Sequence, residues 1–497
     1  MPPPSANVGH YLLDSAHPDD TAIVDRSGQH SYRDLRRATA ALTEHVHRWG
    51  LPPGARIGVL SRNSLFWAAA YLAILRSGHV AVPFATALTA EDVATKAHFV
   101  GCQAFFVDRT LARRFAPVAT AARNIADEAA MAGSAAVRAD RVAEVDPDAD
   151  AVLSFTSGTT SAPRAVRVSH RNIRANTESI IEYLELTRTD RVLVVLPFSY
   201  CYGASLLHTH LRAGASLSIC DTFAFPESVV EAIQHEGCTG IAGVPSTYQL
   251  LLRASSFEST RLTTLRYIQQ AGGRLPQPHI DRVAAAQPHA DLFVMYGQTE
   301  ATARLSYLPP ALRRQRPGSI GRGIPGVSLS VIGPDGIPVP PGTVGEIFAR
   351  GENIANGYWE DPAGTAAKFV DGGLRTGDLA QADEDGYLYI VDRQDDFIKS
   401  WGFRVSSHEI EDTVLEIPGV VAAAAVGRPD EEAGEAIVVF YVSTPDQGVA
   451  PEQILAHCRT RLARHLVPHE VRALPELPLN PNGKIVKSEL KTLAALR

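Results

Sequence analysis

Short apolar runs of strand length alternate with helical stretches along the chain up to residue 300. RIGVLS begins at 56, HVAVPF at 79 and AFFVD at 104, and residues 64–76 carry apolar side chains at helical spacing. An Ala- and Arg-rich segment near 111–141 is predicted to be helical. Further runs are AVLSF at 151, RVLVVLP at 191, ASLSIC at 215, CTGIAGV at 238, LRYIQQA at 265 and DLFVMYG at 291. This alternation predicts an α/β fold of layered, largely parallel sheets.

The pattern changes at two later points. From 317 to 351, Gly and Pro punctuate short alternating runs such as VSLSVI and GEIFAR, which predicts a small antiparallel β unit. After GYLYIVDRQDD the sequence predicts two helices, around 408–415 and 451–462, with strands between them. We therefore expect a large domain at 1–393, with a β-rich subdomain at about 317–393, a hinge at 394–396 and a smaller α+β domain at 397–497.

Composition and charge exclude several classes of protein. The net charge of -7 lacks the basic footprint of a nucleic-acid-binding protein, and it disfavours an anionic membrane surface. The sequence has no apolar run near the ~20 residues of a membrane helix and no signal peptide. Five scattered cysteines without a C-x-x-C pair indicate a reduced, cytoplasmic protein.

Two histidines, His208 and His210, could suggest a metal site. They lack a third ligand nearby, so we interpret them as structural.

One segment has the composition of a phosphate-binding loop. FTSGTTSAPR (155–164) follows the run AVLSF and precedes a helix predicted to start near 169. Small hydroxyl residues and Gly in a strand-to-helix turn present backbone N–H groups and hydroxyl donors to phosphate oxygens. A Ser/Thr-rich surface turn has the same composition, so this segment alone leaves both interpretations open. It lacks the G-x-x-x-x-G-K-[ST] pattern of kinase-type NTPases.

Three further segments carry candidate chemistry. YGQTE (296–300) ends a predicted strand, where open α/β sheets bind ligands, and RTGD (375–378) offers a carboxylate. NPNGKI (480–485) places a lysine on a Gly/Asn turn near the C-terminus. Lysine is scarce here, which suggests a specific role where it occurs. The lysines are Lys96, Lys368, Lys399, Lys484, Lys487 and Lys491.

In this order and spacing, the segments resemble the superfamily of acyl-CoA ligases, firefly-luciferase-like enzymes and peptide-synthetase adenylation domains. The resemblance spans nearly the whole chain to Lys484, with further matches at 271–276, 345–362 and 392–411. It implies an ATP-dependent ligase that forms an acyl-adenylate, releases pyrophosphate and uses Mg²⁺. A catalytically inactive adenylate-binding protein and a luciferase-like oxidase are the alternatives from other classes.

The resemblance also implies the role of each matching residue. The ATP phosphates would be held by Thr156, Ser157, Gly158, Thr159 and Thr160. Adenine and ribose would be bound by Gly272, Gly273, Tyr296, Asp378 and Arg393. Thr299 would lie by the α-phosphate and Glu300 would hold Mg²⁺. Lys484 would stabilise the negative charge that develops during adenylation, and Asp395 would lie at the domain hinge.

The chain departs from the family pattern in its loop and pocket. Ser161, Arg164 and Ala165 stand where the loop usually has Gly, Lys and Gly. Tyr200 stands where acyl-CoA ligases often have His. The expected substrate pocket comprises Phe198, Tyr200, Tyr202 and Gly297. No aspartate lies at 196–203 to pair a substrate ammonium, so an amino acid is disfavoured and an aryl or heteroaryl acid is expected.

The acceptor of the acyl group is expected to be an amine, giving an amide. The resemblance implies that the stretch after the hinge lysine lines the path of a pantetheine arm. Trp401 there would either narrow this path or turn aside into the core, and Ser407 replaces a common Pro in the same wall. The chain also resembles stand-alone ligases that join aryl acids to amines. Transfer to CoA, with CoA then a further cofactor, is the alternative, and loading of a carrier protein is a third possibility. The chain ends soon after Lys484, so no fused carrier domain is expected.

Overall fold

The computed structural model describes residues 6–116, 118, 124–132, 142–156, 163–220, 225–393, 397–444, 448–480 and 483–496. The helices of these ranges are α1 (Val8–Tyr11), α2 (Tyr32–Arg48), α3 (Leu65–Arg76), α4 (Ala90–Phe99), α5 (His170–Leu184), α6 (Cys201–Ala213), α7 (Glu227–Glu236), α8 (Pro245–Ala254), α9 (Gln277–Ala286), α10 (Pro362–Lys368), α11 (Ser407–Leu415), α12 (Pro451–Arg461) and α13 (Lys487–Ala495). The strands are β1 (Thr21–Asp25), β2 (Gly28–Ser31), β3 (Arg56–Leu60), β4 (Val80–Pro83), β5 (Cys102–Val107), β6 (Asn124–Ala126), β7 (Asp150–Phe155), β8 (Ala165–Ser169), β9 (Arg191–Val194), β10 (Ser216–Ile219), β11 (Gly240–Gly243), β12 (Tyr267–Gln270), β13 (Asp291–Tyr296), β14 (Ser306–Leu308), β15 (Arg322–Gly323), β16 (Ser328–Ile332), β17 (Gly345–Arg350), β18 (Phe369–Val370), β19 (Gly373–Ala382), β20 (Leu388–Arg393), β21 (Ile398–Ser400), β22 (Phe403–Val405), β23 (Val420–Asp430), β24 (Gly434–Ser443) and β25 (Glu470–Ala473).

Two large sheets, mostly parallel, build the first part of the molecule. One has six strands in the order β6-β5-β3-β4-β7-β8, and the other has nine in the order β15-β14-β13-β12-β11-β9-β10-β1-β2. A continuous apolar cluster joins the facing sides of the sheets and includes residues of α3, α5 and α6. Helix α3 is buried from Phe66 to Leu75, as expected of a helix enclosed by other elements. The predicted layered α/β fold is confirmed.

Two smaller sheets follow along the chain. β16 to β20 form a five-stranded antiparallel sheet, as the Gly- and Pro-rich pattern predicts. The fourth sheet joins β21 to β25 and carries α11 and α12 against a separate apolar cluster. No helix in the described ranges has the length and apolar character needed to cross a bilayer.

Local sequence signals define several helix ends. The Ser64 side chain caps α3 by accepting a hydrogen bond from the Trp67 N–H, and Ser169 caps α5. The predicted helix start near 169 is therefore confirmed. The prediction that the Ser/Thr-rich loop leads directly from a strand into this helix is wrong. β8 intervenes and pairs antiparallel with β7, so the Ser/Thr-rich loop connects two strands. The segment near 111–141, predicted as helical, contains strand β6.

An ion pair with a buried aspartate links the amino ends of three strands in the nine-stranded sheet. Asp190, immediately before β9, accepts hydrogen bonds from Arg266 Nη2 at 3.0 Å, from Thr239 Oγ1 at 2.8 Å and from the Thr187 N–H at 2.8 Å. Burial acts to raise the pKa of the Asp190 carboxyl, but these hydrogen bonds outweigh it and hold the pKa below its usual value. Because Thr239 precedes β11 and Arg266 precedes β12, the contact fixes the register of all three strands.

We expect Asp190→Ala to lower the free energy of unfolding by about 1–3 kcal/mol, because the Thr187 N–H, the Thr239 hydroxyl and the Arg266 guanidinium lose a shared acceptor. The folded-state pKa is depressed, so the stabilisation is full above the unfolded value near 4 and is lost as the pH falls through the folded value. Urea denaturation of the wild type and the variant from pH 7 to pH 3 measures the difference in their free energies of unfolding at each pH.

The matched control is Asp19→Ala, which removes an ion pair whose two side chains are 67% and 65% exposed. It should change the urea midpoint little. An Asp190→Ala midpoint equal to that of the control would refute the structural role of this ion pair.

Candidate active site

Four adjacent parallel strands of the nine-stranded sheet end at the same edge. They lie in the order β13-β12-β11-β9, and the segments after them are YGQTE, AGG, the start of α8, and the loop before α6. The carboxyl ends of parallel strands in an open α/β sheet form a crevice that binds ligands. Segments separated by about a hundred residues in sequence therefore meet here.

Thr299 and Cys201 are in contact at the centre of this edge. The Thr299 hydroxyl donates to Cys201 Sγ at 3.5 Å. Burial raises the pKa of the Cys201 thiol, while the charge of Lys484 acts in the opposite direction. The two side chains thus place a neutral thiol and a hydroxyl beside the end of β13. From the sequence, Cys201 is expected to be a buried free thiol rather than a pocket residue, and the structure places this free thiol in contact with Thr299 at the site.

Gly272, after β12, adopts a φ of +85°, which favours glycine. A Cβ at this position would lie 2.9 Å from the Tyr200 hydroxyl oxygen and 2.8 Å from Val244 Cγ1. A Cβ on Gly297 would lie 1.9 Å from the Ala303 carbonyl oxygen. The two glycines therefore permit the close approach of neighbouring segments. Gly273, also assigned to adenine, has more room, with Pro245 Cγ at 3.2 Å from such a Cβ.

Tyr296, at the end of β13 in the nine-stranded sheet, contacts Asp378, on β19 of the five-stranded antiparallel sheet. The Tyr296 hydroxyl donates to Asp378 Oδ2 at 2.5 Å, and the amide of Gln298 donates to the Thr376 carbonyl oxygen at 3.5 Å. Burial, with the adjacent Asp378 charge, raises the pKa of Tyr296 well above its usual value. The phenol is therefore neutral and orients the carboxylate. Arg393 is the register partner of Asp378 in the pair β19–β20.

Glu300 lies beside the base of the Ser/Thr-rich loop. The Tyr358 hydroxyl donates to Glu300 Oε1 at 2.8 Å, and the Arg164 guanidinium lies over the Tyr358 ring at 4.8 Å. The Thr156 N–H donates to the Arg164 carbonyl oxygen at 3.2 Å and closes the stem of the loop. Ser157, Gly158, Thr159 and Thr160 lie outside the described residues. Sequence reasoning noted the motif that contains Tyr358 but missed its contact with Glu300.

Lys484 lies between β25 of the fourth sheet and α13, and its side chain lies at this edge of the nine-stranded sheet. Its Nζ lies 5.9 Å from the centre of the Tyr200 ring, and the Ser246 hydroxyl donates to the Gly483 carbonyl oxygen at 2.9 Å. Arg274 pairs with Asp412 between the same two parts of the chain. Lys484 is thereby held near Cys201 and Thr299. The predicted hinge residue, Asp395, lies outside the described residues.

The aromatic residues expected in the substrate pocket occupy different environments. Tyr200 is half-buried beside Lys484, whereas Tyr202 is buried and donates to the Gln269 carbonyl oxygen at 2.9 Å. Phe198 packs on Trp67 at 5.2 Å and lines a cavity of about 30 Å³ between the two large sheets. Only Tyr200 of the three therefore faces the strand edge with an accessible ring.

The two helix histidines are structural, as the sequence indicates. His208 hydrogen-bonds to the Tyr71 hydroxyl at 2.9 Å, and His210 to that of Tyr267 at 2.8 Å. Burial lowers the pKa of His208 to about 3 and that of His210 to about 4, so both are neutral. Among the residues that the structure describes, no group of three or more His, Cys, Asp and Glu could hold a metal ion.

Comparison with known proteins identifies the family. A model described as "AMP-binding enzyme" matches residues 14–359, and one described as "AMP-binding enzyme C-terminal domain" matches residues 409–484. The chain belongs to the AMP-binding enzymes. The sequence-based assignment to adenylate-forming ligases is thus confirmed, and such enzymes use ATP.

Three similar proteins cover nearly the whole of this AMP-binding enzyme. A feruloyl-CoA synthase of Amycolatopsis sp is 30% identical over 493 residues, which is 95% of this chain and 96% of that protein. ATP-bound MatB from Rhodopseudomonas palustris is 27% identical, with a TM-score of 0.90 over 99% of each chain. The amide bond synthetase McbA from Marinactinospora thermotolerans is 26% identical, with a TM-score of 0.91 over 99% of this chain and 100% of that one.

The ion pair between Arg274 and Asp412 generates a prediction about how Lys484 is held at the site. Arg274→Glu should slow acid-dependent pyrophosphate release from ATP by about two- to tenfold, because like charges would oppose the contact. The reversed pair, Arg274→Glu with Asp412→Arg, should recover most of the rate.

Arg282→Glu is the matched control, because Arg282 forms a partly exposed ion pair with Glu258 at 2.7 Å within the large domain. It should leave the rate near that of the wild type. If the reversed pair were as slow as Arg274→Glu, the contact would have no part in holding Lys484.

Proposed function

We propose that this AMP-binding enzyme activates an aryl carboxylic acid as its acyl-adenylate and transfers the acyl group to an amine, forming an amide. The observation that carries the first step is the placement of Lys484 beside Tyr200, Cys201 and Thr299. An ammonium group at the carboxyl edge of a parallel sheet suits a reaction in which negative charge develops.

The first half-reaction joins the acid to the α-phosphate of ATP. A carboxylate oxygen of the acid attacks the α-phosphorus, and the bond from that phosphorus to the bridging oxygen of pyrophosphate breaks, with its electrons leaving on pyrophosphate. The Lys484 ammonium stabilises the charge on the carboxylate and phosphoryl oxygens, and the Thr299 hydroxyl donates to the α-phosphate. Both groups come from segments that meet at one edge.

The remaining predicted residues are proposed to bind the ribose, adenine and phosphates of ATP. Asp378, oriented by Tyr296, would accept hydrogen bonds from the ribose hydroxyls, with Arg393 in support. The tight turn at Gly272 and Gly273 leaves backbone available to adenine, and the loop that starts at Thr156 would hold the phosphates. Tyr296 is buried and bound to Asp378, so adenine would contact its ring edge.

Glu300 is the residue that would hold Mg²⁺. Tyr358 donates one hydrogen bond to Oε1, and a carboxylate has further lone pairs for a hard cation. The ion, when bound, would neutralise charge on the phosphates of ATP. Tyr358 and Arg164 fix Glu300 beside the two ends of the phosphate loop.

The aryl acid is supported by the tyrosine beside Lys484. The rings of Tyr200 and Tyr202 lie edge to face at 6.3 Å, and aromatic side chains pair well with a planar aryl group. Of the similar proteins, the feruloyl-CoA synthase is named for an acid that carries an aryl ring.

The amine acceptor is supported by two features. The similar fold of an amide bond synthetase covers 99% of this chain. Trp401, on the turn between β21 and β22, is 51% exposed, has a φ of +53° and stacks on His469. On the path that the family resemblance gives to a pantetheine arm, this indole would restrict the arm, whereas an amine needs only a small opening. The relationship to feruloyl-CoA synthase favours the second candidate, transfer to CoA.

We expect Lys484→Ala to lower adenylate formation by at least ~100-fold, the scale of losing one electrostatic stabiliser. A chemically supplied acyl-adenylate should still be consumed at nearly the wild-type rate. Pyrophosphate release measures the first step and amide formation the second.

Lys491→Ala, which removes an exposed lysine from the neighbouring helix α13, is the control and should retain both rates. Loss of both steps to the same extent in Lys484→Ala would make Lys484 structural and would contradict its assigned role.

The acceptor is tested by incubating the enzyme with ATP, Mg²⁺ and an accepted acid, with CoA and a simple amine supplied separately. We expect amide to form faster than it does from the same adenylate free in buffer, and thioester to form slowly. Mass spectrometry of the products distinguishes the two. Rapid acyl-CoA formation without enzyme-dependent amide would refute the amine proposal.

A further inference from the structure

Arg304 is a charged side chain enclosed in the core next to the candidate site. It lies four residues after Glu300, between the YGQTE segment and β14, and it is only 1% exposed. Its Nε and Nη2 atoms have no hydrogen-bond partner. The Tyr183 and Tyr202 hydroxyls are its side-chain hydrogen-bond partners, and both are neutral phenols. A buried guanidinium with two unpaired nitrogens is costly, because those N–H groups have lost their hydration without compensation.

The surroundings of Arg304 supply no negative charge. Its guanidinium carbon lies 4.6 Å from the centre of the Tyr202 ring, and Tyr183 is its other close phenol. Burial raises the pKa of both phenols, so both are neutral. Within the described ranges, no aspartate or glutamate forms an ion pair with Arg304. The positive charge therefore lacks the anion that a buried arginine normally requires.

Gln269 is a second buried polar side chain without a partner in the same place. It is fully buried on β12, and neither Oε1 nor Nε2 has a hydrogen-bond partner. In register it lies between Ala242 and Phe293, and both of these belong to the apolar cluster that contains Tyr202 and Tyr183. Because register partners share a face of a sheet, the amide of Gln269 points towards the side where Arg304 lies.

These groups lie further into the molecule than Lys484 but at the same strand edge. Cys201, in contact with Thr299, is influenced by the charges of Lys484 and Arg304 alike. Tyr202, over which Arg304 lies, is edge to face with Tyr200, over which Lys484 lies. Two cations are thus arranged along one pair of tyrosine rings.

We propose that Arg304 and Gln269 bind a second carboxylate of the acid, so that the enzyme activates dicarboxylic acids. The inference rests on the adenylating function proposed above. One carboxylate reacts beside Lys484 and Thr299, the body of the acid lies against the accessible ring of Tyr200, and the other carboxylate pairs with the Arg304 guanidinium beneath it. Guanidinium and carboxylate match in a two-point hydrogen-bonded geometry, and the Gln269 amide supplies a further donor.

The test compares each dicarboxylic acid with the monocarboxylic acid in which a methyl group replaces the second carboxylate. Suitable pairs are terephthalate with 4-methylbenzoate, isophthalate with 3-methylbenzoate, and glutarate with pentanoate. Acid-dependent pyrophosphate release gives kcat/KM for every acid. For at least one pair, we expect the wild type to prefer the dicarboxylate by tenfold or more.

Variants then assign the preference to the two side chains. Arg304→Met should lower the ratio of kcat/KM between dicarboxylate and methyl partner by about 10- to 100-fold, the scale of a hydrogen bond to a charged group. Gln269→Leu should lower it less, and Arg304→Lys should retain part of it. Arg350→Met is the matched control, because Arg350 is an exposed arginine on β17, and its ratio should equal that of the wild type.

Three results would overturn the inference. A wild type that prefers the methyl partner in every pair would exclude a carboxylate at Arg304 while leaving the adenylating function intact. An unchanged ratio in both Arg304→Met and Arg304→Lys, with only a lower melting temperature, would make Arg304 structural. Absence of pyrophosphate release with every acid would refute the proposed function as well. If Arg304→Met does not fold, Arg304→Lys and the wild-type ratios decide.

Discussion

The parallel hydrogen bonding of β13, β12, β11 and β9 is the constraint on which the rest of the molecule depends. Parallel strands need a crossover between them, so all four carboxyl ends emerge at one edge and all four amino ends at the other. The two edges have opposite characters. At the amino ends, Asp190, Thr239 and Arg266 satisfy one another and fix the strands. At the carboxyl ends, the chain places Lys484, Thr299 and Glu300, the groups proposed to act on ATP and the acid.

Some polar side chains at the carboxyl edge have hydrogen-bond partners within the protein, whereas others have unpaired donors or acceptors. Asp378 accepts from Tyr296, and Glu300 accepts from Tyr358, so both carboxylates are oriented. Arg304 and Gln269 are buried with unmet hydrogen-bonding capacity. Such groups reduce the stability of the fold, and a ligand that completes their hydrogen bonds recovers that free energy on binding.

Lys484 depends on contacts of a different kind. It belongs to the part of the chain that follows β20, and it reaches the edge through the Ser246–Gly483 hydrogen bond and the Arg274–Asp412 ion pair. The side chains of that ion pair are about one third exposed, and exposed ion pairs contribute only about 0–1 kcal/mol. This ion pair therefore contributes less than the hydrogen-bonded Asp190 contact at the opposite edge of the sheet.

The sequence by itself determined the family, the layered α/β fold and most element positions, because these depend on local order. Motif residues follow one another in a recognisable spacing, and caps such as Ser64 act on neighbouring N–H groups. Strand β8 escaped prediction because its identity depends on pairing with β7 across a loop. Only the tertiary structure decided that Tyr296 orients Asp378, that Tyr358 holds Glu300 and that Arg304 is buried. An arginine in a sequence is expected at the surface, and its burial follows from the packing of segments far apart in the chain, which no local pattern encodes.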